Sequence, residues 1–333
     1  MSLLTSEKFD DLMARSFGGA LSAISAVAIG VSGGADSMAL LWLLQGWCQR
    51  NDKALHVLSV DHGLREAAQE ECALVASYCD GFDHVSHQIL QWDAPSDVRI
   101  QEEARKARYT LINDYCRDHE IRHLFLAHHE DDQAETVLFR LAKGSGLDGL
   151  SGMREMQDYE GLVLCRPLLN VAKQDLVETC EAEKVPFVHD PSNDDDGYAR
   201  VRLRQSMDVL AGEGLTAKRL SVTAMRMARA REALDVMAVR AESQYLLLKN
   251  TDRIEFNIEF LFEPLETVVR VILKGIGDLG NERDYAPRME KVEDLAYALV
   301  NDLSFRKRTL GGVIFDRDDK AGRVILLCEN SDG

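Results

Sequence analysis

The chain has 333 residues, 56 acidic against 39 basic side chains, a formal charge of -17, and 46% hydrophobic residues. With 29% charged residues, 23 Gly and 6 Pro, this composition excludes disordered, collagenous and low-complexity chains, and the net charge argues against nonspecific coating of nucleic acid or membrane. The length favours two domains, each with a core of its own.

The apolar stretch from Ala20 to Val31 follows Glu7, Asp10 and Asp11 where a signal peptide would carry basic residues, and it is too short to span a bilayer. Neither a targeting nor a membrane segment is predicted. From Ala26 onward, short β-branched runs alternate with amphipathic helical segments, the signature of βα units and a parallel sheet. Residues 26–32, 55–61, 83–89 and 123–129 read as strands, with a fifth at 162–169. Helices are predicted after Ser37, after Arg65, from Gln101 and from Ala172. The acidic run 189–197, HDPSNDDDG, reads as a loop. Residues 215–246 lack Gly and Pro and predict one long helix or a helical hairpin, with further helices near 263–278 and 288–300. The tail, 306–329, holds two strand-like runs around a polar turn. We therefore expect a doubly wound, mostly parallel α/β domain over 1–210 and a mainly helical domain over 211–333 that ends in a short β tail. Seven scattered cysteines without a CxxC pair predict buried free thiols in a reducing compartment, and the cytoplasm fits.

Two stretches carry chemistry. The first strand ends in SGGADS, residues 32–37, directly before a helix. Gly33 and Gly34 let the backbone wrap a phosphate, the helix N-terminus supplies unpaired N–H donors, Ser32 and Ser37 add hydroxyls, and Asp36 can hold a magnesium ion. A capped Gly-rich turn with no ligand fits the same residues. GSGLDG (144–149) satisfies G-x-G-x-x-G but follows a helical run instead of a strand, so Gly144 reads as a helix C-cap and not as part of a dinucleotide fingerprint. At the end of the fourth strand, Asp132 and Glu135 stand three apart at a helix start and share a face. They suit recognition of a cationic amine, and they equally suit the positive end of the helix dipole. His128 and His129 read either as metal ligands or as hydrogen-bonded histidines at a strand end.

SGGADS matches the SGGxDS loop of the PP-loop ATP pyrophosphatases, which cleave ATP between the α- and β-phosphates and adenylate an oxygen of their substrate. The wider pattern is AHHEDDQAET and GSGLDGLSGM with VDHGLR (60–65), QEEARKARY (101–109), RPLL (166–169) and DPSNDDDGYARVRLR (190–204). In this order it closely resembles the tRNA(Ile)-lysidine synthetases over residues 26–205, with RTLGG (308–312) similar to the end of some members. The resemblance implies an adenine nucleotide α-hydrolase-like fold, and an ATP- and Mg²⁺-dependent joining of L-lysine to the wobble cytidine of a CAU-anticodon tRNA(Ile). It assigns ATP to Ser32, Gly33, Gly34, Ala35, Asp36 and Ser37 and the metal to Asp36, while Asp61 and His62, at the end of the second strand, stand where the nucleoside half of ATP would lie in this topology. Arg105 would meet the departing pyrophosphate, Asp132 and Glu135 the amino groups of lysine, and Arg200 and Arg204 the tRNA, which Arg226 and Arg229 of the basic stripe over 200–231 are expected to contact as well.

Residues 200–231 carry eight basic against two acidic side chains, so a basic stripe lies within an acidic chain. Val201 stands where the family's RNRIR pattern has Asn. A tRNA thiolase of the same class is a rival reading, opposed by the lack of a CxxC pair, and so is a nucleotide-binding protein without catalysis. A homodimer stays open.

Overall fold

The computed structural model describes residues 3–61, 66–92, 100–188, 206–207, 209–280 and 287–329. The chain forms two compact units, Met1–Met227 and Ala228–Gly333.

The first unit opens with α1 (Ser6–Phe17), absent from the expectation above, whose buried Phe9, Met13 and Phe17 recur every four residues and whose start is capped by Thr5. Alternating elements follow: β1 (Ala26–Gly30), α2 (Ala35–Arg50), β2 (Ala54–Asp61), α3 (Glu66–Cys79), β3 (Val85–Gln91), α4 (Ile100–Asp118), β4 (His123–Phe125), α5 (Glu130–Ala142), α6 (Leu147–Leu150), β5 (Met156–Tyr159), β6 (Leu162–Cys165) and α7 (Lys173–Glu183). The six strands lie in the order β3-β2-β1-β4-β6-β5. All neighbours are parallel except β5, which pairs antiparallel with β6. The expected doubly wound, mostly parallel sheet is present.

Side-chain alternation loads both faces of this sheet. Val27 and Ile29 of β1, with Val163 and Cys165 of β6, join one core cluster with α1, α2 and α7, while Ala28, Leu162 and Leu164 face Ile112 and Cys116 of α4 in another. Helix α2 is buried nearly all round because it lies inside the first of these layers, and each of its buried leucines contributes about 1.5–3 kcal/mol by leaving water. The β5–β6 connection is a two-residue turn, Glu160-Gly161, with positive φ at both positions, the backbone that suits a tight hairpin.

Beyond the first unit's sheet, α8 (Ala217–Tyr245) is one continuous helix, and the division between the units falls within it. In the second unit, β7 (Leu246–Lys249), β8 (Arg253–Asn257), α9 (Leu265–Leu279), α10 (Met289–Asn301), β9 (Arg308–Leu310), β10 (Val313–Asp318) and β11 (Arg323–Cys328) follow. Their strands form an antiparallel sheet in the order β7-β8-β11-β10-β9. The helical portion is as expected, but the tail strands β10 and β11 are joined by β7, β8 and β9, so the β portion is larger than the tail alone. A separate core of Phe256, Phe260, Val268, Ile272, Val313 and Phe315 among others fills this unit. Among the described residues, no helix is long and apolar enough to cross a membrane.

Candidate active site

Strand order reverses on either side of β1 and β4, and in a doubly wound sheet the crevice beyond the carboxyl ends of such a strand pair receives the ligand. Both chemistry-bearing stretches leave the sheet there. The loop after β1 is shaped from within: Ser37 Oγ donates to the Gly34 carbonyl at 3.0 Å and accepts from Ser32 N at 3.2 Å. The Ser37 hydroxyl is thereby committed to the loop. Val188 N donates to the Gly33 carbonyl at 3.0 Å and Val31 N to the Leu58 carbonyl at 2.9 Å, anchoring the loop on two sides. Gly33 has φ +82°, and a Cβ there would stand 3.3 Å from both Glu71 Cβ and Val188 Cγ2, so backbone conformation and space both require glycine. Gly34 begins α2 without a side-chain cap, leaving the first-turn N–H groups to an anion.

Strand β4 pairs beside β1, with Leu124 opposite Ala28 and Phe125 opposite Ile29. Its ladder stops at Phe125, earlier than expected, and the extended residues after it end in His129, the N-cap of α5. The buried imidazole accepts from Asp131 N through Nδ1 at 3.3 Å. Its Nε2 stands 3.4 Å from Asp36 Oδ2 in the phosphate loop and 3.4 Å from Asp132 Oδ2 on α5. Asp132 Oδ2 also accepts from His129 N at 3.0 Å, which completes a reciprocal cap. Burial opposes charge on His129, but hydrogen bonds with Asp131 and Asp36 and the nearby Asp132 charge outweigh it and raise its pKa to about 10. The two Nδ1 contacts alternate with protonation: the neutral ring accepts from Asp131 N, whereas in the imidazolium Nδ1–H faces Asp131 Oδ2 at 3.5 Å. The bond from His129 holds the Asp131 carboxyl below its ordinary value, against the opposing effect of burial, and Asp131 Oδ2 also caps α7 by accepting from Lys173 N at 3.2 Å.

The segment after α5 is laid back on that helix. Gln133 exchanges two hydrogen bonds with the Met153 backbone, at 2.7 and 3.1 Å, and Arg140 Nη1 donates to the carbonyls of Gly149 and Gly152. Gly144, with φ +73° directly past the end of α5, is a helix-terminating glycine, so GSGLDG is not a dinucleotide loop. Arg166 of RPLL is buried and donates to the Arg154 carbonyl at 2.9 Å, a structural tether.

Residues 4–209 match the family model of the PP-loop domain. Over 312 residues the chain is 40% identical to the tRNA(Ile)-lysidine synthase of Rhodopseudomonas palustris, covering 92% of this chain and 88% of that protein. The chain belongs to the tRNA(Ile)-lysidine synthase family. It is 37% identical over 301 residues to the tRNA(Ile)-lysidine synthase of Ruegeria pomeroyi, covering 90% of this chain and 70% of that one. Among solved structures, the U34-tRNA thiolase NcsA from Methanococcus maripaludis, with its [4Fe-4S] cluster, superposes with a TM-score of 0.57 at 15% identity, over 68% of this chain and 79% of that one, a likeness of fold. As a lysidine synthase family member the chain is a ligase with an ATP-binding PP-loop domain.

Within this family frame, Ser32 to Ser37, Asp132 and Glu135 all lie on the loop and helix that leave β1 and β4, and Asp61 is buried at the end of β2 on the other side of β1. His62, Arg200 and Arg204 lie outside the described residues, as does the side chain of Arg105 in α4. Arg226 and Arg229 are exposed on α8. His129 is the residue that sequence reasoning left undecided. The signal for it was its place immediately before the acidic first turn EDD, which is an N-cap position. Among the described residues, Asp36 Oδ1 is buried with no hydrogen-bond partner, an arrangement costly for a carboxylate and suited to a cation. Among the described residues, no cluster of three or more His, Cys, Asp or Glu side chains could hold a metal on its own.

Proposed function

We propose that this chain joins L-lysine to C2 of the wobble cytidine in a CAU-anticodon tRNA(Ile), through an adenylated cytidine, with release of pyrophosphate and AMP. The observation that carries the reading is the convergence, in a lysidine synthase family member, of the phosphate-loop carboxylate Asp36 and the α5 carboxylate Asp132 on one imidazole. The cytidine C2 is a poor electrophile, so its oxygen is converted to a leaving group before the amine attacks. Ser32, Gly33, Gly34, Ala35, Asp36 and Ser37 hold ATP, through backbone N–H groups at the start of α2. Asp61 and His62 flank the nucleoside half. Arg105 neutralises charge gathering on pyrophosphate.

Asp36 would hold Mg²⁺ through Oδ1, which has no hydrogen-bond partner among the described residues. When bound, the ion polarises the phosphates and stabilises the pyrophosphate leaving group. Asp132 and Glu135 orient lysine by its amino groups, and the attacking ε-amine must lose its proton before it displaces AMP. Arg200, Arg204, Arg226 and Arg229 take the tRNA backbone. Seven free cysteines, six of them buried, support a cytoplasmic location.

The test supplies ATP, Mg²⁺, L-lysine and a CAU-anticodon tRNA(Ile) transcript, and follows AMP, pyrophosphate and the mass of the anticodon fragment. A lysine-dependent mass gain at the wobble cytidine is expected. Pyrophosphate release without lysine incorporation would keep adenylation and overturn the nucleophile, and no turnover would favour a binding protein. Asp36→Ala should abolish pyrophosphate release, whereas Glu135→Ala should raise the lysine KM and leave part of it.

A further inference from the structure

His129 makes two kinds of contact. Through Nδ1 it holds the first turn of α5, accepting from Asp131 N when neutral and facing Asp131 Oδ2 when protonated, a structural task that many side chains perform. Through Nε2–H it stands at the same 3.4 Å from Asp36 Oδ2 and Asp132 Oδ2, side chains in the first turns of α2 and α5, the helices that follow the neighbouring strands β1 and β4. A cap needs only the first contact. The second fixes which oxygen of Asp36 is held inward and leaves Oδ1 buried and unpartnered among the described residues.

We propose that His129 is a positioning residue that ties the ATP-side carboxylate Asp36 to the lysine-side carboxylate Asp132, so that one imidazole N–H fixes Asp36 against a carboxylate that the His129 backbone already holds. The inference rests on the roles proposed above for these two carboxylates. Asp36 could otherwise turn either oxygen toward the cation, and Asp132, held by the His129 backbone N–H, would lose its link to the phosphate loop. With the tie in place, the phosphate loop and the start of α5 keep a fixed separation through both stages of the reaction. Loss of an outer partner of a metal-ligating group typically costs 10–100-fold in metal affinity or activity.

Two substitutions separate the tie from the cap. In His129→Asn the amide oxygen falls near the place of Nδ1, so it can accept from Asp131 N and keep the cap, but it cannot reach Asp36. In His129→Gln the longer side chain can bring an amide N–H near the place of Nε2. The full-length chain is titrated with Mn²⁺ and ATP, with free Mn²⁺ followed by electron paramagnetic resonance. The lysine KM and the thermal midpoint are measured alongside. His129→Asn is expected to melt close to the parent, to bind Mn²⁺ with ATP about 10–100-fold more weakly and to raise the lysine KM, while His129→Gln recovers part of both affinities. Parental Mn²⁺ affinity and lysine KM in a folded His129→Asn would overturn the tie. So would losses in both variants that scale with their thermal midpoints, because those would mark a cap and nothing more. If the parent itself bound no Mn²⁺ with ATP, the metal role of Asp36 would fall and the inference with it.

Discussion

Gly33 is the position in the phosphate loop where backbone and packing leave no alternative. Its φ of +82° lies in the left-handed region, and a methyl group would press on Glu71 and Val188 from opposite neighbours. Gly33→Ala should therefore lose on the order of 1 kcal/mol or more of stability and displace the loop that approaches ATP. Gly34→Ala makes the control, since its φ of -72° is ordinary and its Cβ would meet only Ser32 Oγ, at 3.8 Å. Thermal melting and pyrophosphate release should both fall in the first variant and change little in melting in the second. Equal melting points in the two variants would sink the argument. The presence of a loop was legible in SGGADS, but the division of labour within it was not. Ser37 looks like a ligand donor in sequence, whereas its hydroxyl lies inside the loop, accepting from Ser32 and donating to Gly34.

Elements were legible where burial forces periodicity. The central strands β1 and β2, the edge strand β3 and the helices α2, α7 and α8 follow the pattern of their apolar residues because each is fixed by a core on at least one face. Helix α1, the interior strand β8 and two edge strands, β5 and β7, escaped. Strand β5 and strand β7 bury little, so hydrophobic alternation marks neither of them. Their pairing is written instead in turns, such as the positive φ values at Glu160 and Gly161, and a Glu-Gly pair is a weak signal for those values. Helix α8 raises a different question, since its exposed Arg226 and Arg229 read equally as a solvated face and as an RNA contact. Each phosphate neutralised by an arginine releases counterions, so true contacts should appear in the salt dependence. Arg226→Gln combined with Arg229→Gln should weaken tRNA binding and flatten the slope of log affinity against log salt by about 1–2. A weakened affinity with the parental slope would show that the substitutions act through folding and not through phosphate contacts.

At the scale of the whole molecule, the two units have separate cores and very different contents of buried thiols. Cys48, Cys79, Cys116, Cys165 and Cys180 all lie in the first unit, and burial pushes each of them from the ordinary 9.0 up to about 12. Cys328, only partly buried, is the one cysteine of the second unit. The sign follows from which state keeps its protons. Above pH 9 an unfolded chain releases its thiol protons while the folded first unit retains them, so the unfolded state is stabilised relative to the folded one as pH rises toward 12. Each buried thiol then removes roughly 1.4 kcal/mol of stability per pH unit, and five acting together outweigh the 5–15 kcal/mol typical of a domain, on the order of two pH units above 9. The first unit should therefore unfold in alkali before the second. All three tryptophans, Trp42, Trp47 and Trp92, belong to the first unit, so their fluorescence reports on it alone, while far-ultraviolet circular dichroism reports on both. The expected result is a fluorescence transition between pH 9 and 12, accompanied by alkylation of the five thiols, with the dichroism of α9, α10 and the antiparallel sheet retained. Replacing Cys48 and Cys180 with Ala should move the transition to higher pH, provided the cavities are small enough that the folded unit survives at neutral pH. A single coincident transition by both probes, unmoved by those replacements, would show that thiol burial does not set the alkaline limit of the first unit.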